Sequence, residues 1–376
     1  MKAMPSTAVK AHNLIAMTQY LYRHEHVTKQ EIERELGLSL PTVTQNLRTL
    51  EQDGIIRQGA LRRSTGGRKA RGYEFNPDHR TAIGVAMRSD ALRLYAIDLS
   101  GEVVERLERT LLYRNANAYY QRVGDVIENF AVDVERRHGP VLGVSFSVQG
   151  IVSHEGDRIV FGDVMSNTGL TLETIAQSIH RPCMMIHDSD ASAMAELWFD
   201  HSLTDAVCIY LERRPGGAVI VNGRLYQGPN MCNGTIEHMT LVPDGRECYC
   251  GNRGCMDVYC SPETLPEDYE SIPGFFSVLE QGEAHHRERM NAWLDHVAQA
   301  IVNARSIIAG DVVLGGEAAQ YLEDSDLADL KARVVARTPF GTDLFTLRRS
   351  RCLEDQSAIG AALRYVEAYL HEICGE

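Results

Sequence analysis

The chain has 376 residues, 44% of them hydrophobic and 24% charged, with a formal net charge of −13. This balance excludes a disordered polymer, no apolar run approaches the roughly 20 residues of a membrane-spanning helix, and the length implies two or three domains. The charge is uneven, +5 over residues 1–80 and −18 over the remainder, so only the amino-terminal head is expected to meet a polyanion. The first residues lack a signal-peptide core, and the nine cysteines, an odd number, suit a reducing compartment. The expected location is the cytoplasm, with no membrane contact.

Apolar residues Leu14, Ile15, Met17, Tyr20 and Leu21 predict a helix over 11–26. Thr28 caps a second helix, with Glu31 completing a capping box and Gly37 ending it. Ser39 caps a third, with Pro41 in its first turn. Val43, Leu47 and Leu50 face inward there, leaving Thr42, Thr44, Gln45 and Arg48 outside. Helix, glycine turn, helix is a helix-turn-helix whose third helix would enter the major groove of double-stranded DNA. Strands are expected at 54–57 and 73–76. The basic run between them includes Arg62, Arg63, Gly66, Gly67, Arg68, Lys69 and Arg71, a wing suited to phosphate or minor-groove contact. The plainer alternative is a three-helix bundle with a solvated basic loop.

The acidic body opens with paired strands at 82–87 and 92–98, then a turn and strand from Leu99, a helix over Val123–Arg137 and a buried strand over Val141–Val148. Further on, Asn222-Gly223 marks a two-residue hairpin, Trp198 and Phe199 read as core, and 293–308 reads as an amphipathic helix. His285-His286 reads as an exposed pair and not a metal site. The densest cluster is His238 followed by Cys248-Tyr-Cys250-Gly-Asn-Arg-Gly-Cys255. One imidazole and three thiols are the ligand set of a closed structural Zn2+ site, with Gly251 and Gly254 letting the backbone curl. Four protein ligands leave no open position for catalysis. Buried free cysteines are the alternative.

The run from Gly234 through His238 and Cys255 to Asp257 resembles the signature of the ROK family (repressor, open reading frame, kinase). That family joins sugar kinases to sugar-responsive repressors. The resemblance, with the strand pattern, implies an α/β fold: a two-lobed actin-like, hexokinase-type ROK domain behind the winged helix-turn-helix. Expected boundaries are 1–78 for the head and 79–376 for the sensing domain. Lobe one would cover about 79–190 plus the C-terminal helix, and lobe two about 191–360, with the zinc loop at 238–257.

In kinases of the family the first strand pair carries Asp-x-Gly-Gly-Thr-Lys, a phosphate-binding turn; here Ala86-Met-Arg-Ser-Asp90 stands instead. A second glycine-rich turn is replaced by Glu212-Arg-Arg-Pro-Gly216-Gly217, although Gly315-Gly316 resembles the adenosine-side turn. The resemblance implies that Asp188 matches the aspartate that accepts the sugar proton, with His187, Asn167, His238 and Asp257 as further ligand contacts. Asp188 also reads as a helix N-cap. The expected glutamate is Thr235; Glu237, two residues along and displaced by roughly 7 Å if the segment is extended, is also counted among the ligand contacts. The resulting expectation is a non-enzymatic transcriptional regulator of carbohydrate genes, a repressor by type. It would sense a sugar or sugar phosphate and bind an operator as a homodimer or dimer of dimers. The rival is a ROK sugar kinase with an appended head.

Overall fold

The computed structural model describes residues 6–61, 71–228, 231–232, 234–339 and 344–375. Arg62, Arg63, Gly66, Gly67, Arg68 and Lys69 of the expected wing lie outside them, and of Arg71 only the backbone is described.

The head comprises α1 (Ser6–Arg23), α2 (Lys29–Leu36), α3 (Leu40–Gln52) and an antiparallel pair, β1 (Ile56–Leu61) with β2 (Arg71–Phe75). Helix α1 starts five residues before the periodicity predicts and stops earlier, because Val27 leaves the helix to bridge Tyr73 of β2. Thr28 and Glu31 exchange both capping-box hydrogen bonds, and Gly37 ends α2 at φ 63°. The Ser39 side chain accepts from Thr42 N at the start of α3. Met17, Leu21, Ile32, Val43, Leu47 and Leu50 form the buried core that these elements share.

Two five-stranded sheets build the body. The first has the order β5-β4-β3-β6-β9, from β3 (Thr81–Met87), β4 (Ala91–Ile97), β5 (Val103–Thr110), β6 (Val141–Val148) and β9 (Cys183–His187). Helix α4 (Asn117–Arg137) crosses from β5 to β6. A small ribbon, β7 (Ile151–Val152) with β8 (Ile159–Phe161), and a short α5 (Leu172–Ile175) precede β9. The second sheet has the order β12-β11-β10-β13-β14, from β10 (Ala206–Tyr210), β11 (Gly216–Val221), β12 (Arg224–Leu225), β13 (Asp311–Gly315) and β14 (Leu347–Arg349). Asn222 and Gly223 turn β11 into β12 with φ of 54° and 68°, the left-handed pair that a two-residue hairpin requires. Helices α7 (Asp257–Cys260), α8 (Ile272–Glu280), α9 (Ala284–Arg305) and α10 (Asp324–Arg337) belong to this half. The sheets repeat one design. Three antiparallel strands come first, then two strands joined in parallel through helical crossovers.

Each sheet feeds a helix after its last strand: α6 (Asp188–Phe199) follows β9, and α11 (Gln356–Cys374) follows β14. These two helices cross in close contact. A Cβ on Gly360 of α11 would lie 1.7 Å from the Ala191 carbonyl oxygen of α6. The turns of chain around the crossing are clamped by buried Glu196, which accepts from Arg348 Nη1 (2.6 Å), Ser350 Oγ (2.5 Å) and Arg351 N (3.1 Å). Trp198 and Phe199 pack with α11, as expected of core aromatics, and Trp198 Nε1 donates to the Ser100 carbonyl. The far end of α11 carries the head: Tyr22 and Phe75 join the Leu370–Cys374 cluster, and the Arg80 guanidinium lies over the Tyr369 ring.

Two expectations need correction. Asp188 is not the cap of α6: His187 holds that position, and Asp188 is the first helical residue, accepting from Ser189 N. His286 is not exposed. Its side chain stacks on Phe275 and is held between Glu270 (2.7 Å) and Glu283 (2.5 Å), because α9 begins at Ala284, nine residues before the amphipathic pattern becomes legible.

Gly360→Ala is expected to lower the stability of the body by about 1–3 kcal/mol, the usual cost of overpacking a tight contact. Urea unfolding followed by tryptophan fluorescence measures this, and an unchanged midpoint would contradict the crossing as described.

Candidate functional site

The cleft between the sheets holds a cavity of about 320 Å³, near the lower bound for small-molecule sites. Asp188 enters it because β9 ends there and α6 begins. Its Oδ1 lies 3.3 Å from His187 Nε2, and its carbonyl accepts from Ser192 Oγ. From the opposite side, Thr235, Glu237 and His238 line the same cavity. The segment 236–238 is a 3-10 turn and not the extended strand that the sequence suggested. Two residues in such a turn advance only about 4 Å, so Glu237 does reach the cavity. It is buried, and desolvation, reinforced by Asp188 and Asp257, pushes its carboxyl up to about 8.

His238 faces two ways. Its Nδ1 lies 3.8 Å from Cys248 Sγ, while Nε2 lies 3.3 Å from the Tyr249 hydroxyl and 3.9 Å from Glu237 Oε1. Ligand atoms of His238, Cys248, Cys250 and Cys255 all fall within 4.8 Å of one another, the donor set of a metal site. Cys250 Sγ and Cys255 Sγ are 3.7 Å apart, close to the roughly 3.8 Å edge of a tetrahedron with metal–sulfur bonds of about 2.3 Å. The fold of the loop explains the convergence. Gly251 and Gly254 take φ of 87° and 78°, and a Cβ on Gly254 would meet the Val242 carbonyl at 1.8 Å. Short bridges, Thr240 with Cys255 and Glu247 with Arg253, close the loop upon itself.

The structure places two expected contacts behind the cavity wall. Asp257 is 1% exposed and takes the Arg214 guanidinium at 3.2 Å, so Arg214 and not Asp257 meets the cavity. Asn167 is 2% exposed and donates to the Gln149 carbonyl while abutting Gly162. Both support wall residues. His187, Asp188, Glu237 and His238 are brought together.

Sequence reasoning missed the closure of the phosphate side. Arg88, in the turn between β3 and β4, pairs with Glu212, in the turn between β10 and β11, at 3.5 Å across the cleft. The signal was present as opposite charges in the two equivalent turns. Beyond this pair lies a second cavity of about 880 Å³ whose walls mix acids, among them Asp90, Glu108 and Glu317, with the arginines Arg93, Arg106 and Arg213. Arg93 and Tyr95 of β4 both bond Asp355, just ahead of α11, tying the two halves together on this side.

In the head, Gln45 and Arg48 are exposed on α3, Thr42 and Thr44 are half-buried, and Asn46 is buried, donating to Met17 Sδ.

The ROK family model matches residues 82–367, and a winged helix-turn-helix DNA-binding model matches residues 19–57. The N-acetylglucosamine repressor of Escherichia coli O157:H7 is 26% identical over 263 residues, 69% of this chain; the chain spans 64% of that relative's length. A solved ROK family transcriptional regulator, a homologue of the E. coli MLC protein, superposes with a TM-score of 0.75 at 18% identity over 97% of this chain and 98% of its own. A ROK family glucokinase from Streptomyces griseus, solved with glucose and AMPPNP, gives 0.65 at 18% identity over 76% and 98%.

Proposed function

The chain belongs to the ROK family, and on that premise we propose that it is a DNA-binding transcriptional regulator of carbohydrate genes, a repressor by type. Its body senses a sugar or sugar phosphate without phosphorylating it. The observation that carries this reading is a capped recognition helix with Gln45 and Arg48 exposed, on a head packed against a body whose cleft retains Asp188. Two heads on a homodimer suit a two-fold operator, since each half-site multiplies the affinity of the other.

Loss of kinase activity is supported by three features of the cleft. The first turn has no glycine, the second keeps only Gly216 and Gly217 of the run that lets backbone N–H groups approach phosphates, and Pro215 lacks an N–H. The Arg88–Glu212 pair occupies the space between the turns. The second cavity, with seven carboxylates against five arginines on its wall, would meet a triphosphate with a small net like charge. Asp188, which would take a proton in a kinase, serves here as a hydrogen-bond acceptor for a sugar hydroxyl, a charge-assisted bond. The metal is assigned as zinc, held by His238, Cys248, Cys250 and Cys255. It supplies structure only, fixing the loop from which His238 and Glu237 reach the cavity.

Freshly purified protein is expected to contain one zinc per chain by elemental analysis, and Cys250→Ser to lower both the zinc content and the melting temperature. Clearly substoichiometric metal would remove the assignment. With ATP and a panel of hexoses, no sugar-dependent ATP consumption is expected; turnover that vanishes in Asp188→Ala would establish the kinase instead. For DNA, Thr42, Thr44, Gln45 and Arg48 are assigned to base edges, and Arg68, Lys69 and Arg71 to phosphates or the minor groove. Arg48→Ala should cost about 1–3 kcal/mol at particular base pairs. Lys69→Ala should instead weaken all duplexes alike and lower the salt slope by roughly one unit. Selection of bound sequences followed by salt titration separates the two, and selection of no sequence at all would sink the regulator reading.

A further inference from the structure

The two large sheets of the body end in four edge strands, and three of them are short: β9 has 5 residues, β14 has 3 and β12 has 2. The fourth, β5, has 8 residues, and its neighbour in the sheet is β4 alone. Leu111 N donates to the Asp90 carbonyl, and the register runs Leu92 with Arg109, Leu94 with Leu107 and Ala96 with Glu105. Backbone bonds alternate along an antiparallel ladder, so residues 105, 107 and 109 turn their N–H and C=O groups toward β4. Those of Arg106, Glu108 and Thr110 point away from the sheet, and no backbone group among the described residues takes them.

Long open edges invite pairing with another chain, and charge along them ordinarily keeps other strands off. The charges here follow a pattern that admits one partner. Residues 105–109 read Glu-Arg-Leu-Glu-Arg, a run that complements itself when reversed. In an antiparallel pair of two such strands centred on Leu107, Arg106 stands opposite the partner's Glu108, and Glu105 opposite the partner's Arg109. Centring the pair on Glu105, Arg106, Glu108 or Arg109 sets that charge against its own copy on the axis, which is destabilising. Shifts that match odd positions with even ones are closed by the alternation of the backbone bonds.

The backbone agrees with the Leu107 register. Arg106 and the partner's Glu108 both offer open N–H and C=O groups and form the bonded pair. Leu107 then meets the partner's Leu107 as the closer, non-bonded pair. Toward the ends, Val103, 40% exposed, comes beside the partner's Leu112, which is 66% exposed. Within one chain Glu108 reaches Arg93 at 3.4 Å and Glu105 reaches Arg137, whereas Arg106 and Arg109 have no acidic partner among the described residues.

We infer that β5 is the docking edge for a second copy of this chain, joining two β5-to-β9 sheets into one across a two-fold axis at Leu107. This rests on the proposal that the protein is a homodimer, and names the face through which the dimer forms.

Sedimentation equilibrium of the full-length protein over a range of concentrations measures the association. Arg106→Glu and Glu108→Arg each set like charge against like charge twice across the axis, and each should weaken the dimer about tenfold. The double variant Arg106→Glu/Glu108→Arg restores opposite pairs and should recover the wild-type constant. Leu107→Cys should give a disulfide-linked dimer on mild oxidation, because the axis pair is close enough for the bond. Arg109→Cys, which faces the partner's Glu105, should not. If the wild type dimerises, neither reversal weakens it and Leu107→Cys does not cross-link, the β5 assignment falls and the homodimer stands. A double variant weaker than either single also removes the assignment. A wild type that stays monomeric throughout overturns the homodimer proposal and the β5 edge with it.

Discussion

The approach of α6 to α11 is the constraint from which the rest of the body follows. Each helix continues the last strand of its own sheet, so their contact fixes how the two sheets meet. Small residues make it possible: Ala191 and Ala195 on one side, Gly360 and Ala361 on the other, with no room for a Cβ at Gly360. Because both helices begin at the ends of their sheets, both present their first residues to one cleft. Asp188 and Gln356 share a cavity for that reason, although 168 positions separate them in the chain. The segment 348–351 is then tied to α6 by Glu196 and to the residue that caps it by Asp200.

The metal loop solves a different problem. His238 and Glu237 sit on a short 3-10 turn just ahead of a loop rich in turns. Convergence of three thiols and one imidazole ties that turn to the loop that follows. The same imidazole presents its other nitrogen toward Tyr249 and Glu237. One imidazole thus stands between the thiol cluster and the cavity wall.

Local features were legible in the sequence because local physics produces them. The capping box at Thr28, the Ser39 cap, the Asn222-Gly223 turn and the glycines of the metal loop each involve residues within a few positions of one another. The apolar runs that became β3, β4 and β6 were legible for the same reason. What could not be read was formed across the fold. Arg88 and Glu212 are 124 positions apart, and no periodicity connects them. Glu237 lines the cavity as expected, but by way of a 3-10 turn and not of an extended segment. Asp257 and Asn167 matched positions in a motif, but burial put them one layer behind the residues that face the cavity.

Helix α11 has 19 residues, a length of about 28 Å at 1.5 Å per residue. One end bears Gln356 in the cleft; the other is buried against α1 and the start of the body's first sheet, where Gly375 leaves no space beside Ile15. Such a rod is a lever. Tilting it by about 5° at the cleft would sweep its far tip through roughly 2.5 Å, more than half the spacing between neighbouring strands of a sheet. The rim of the cleft and the seat of the head therefore stand on one and the same helix.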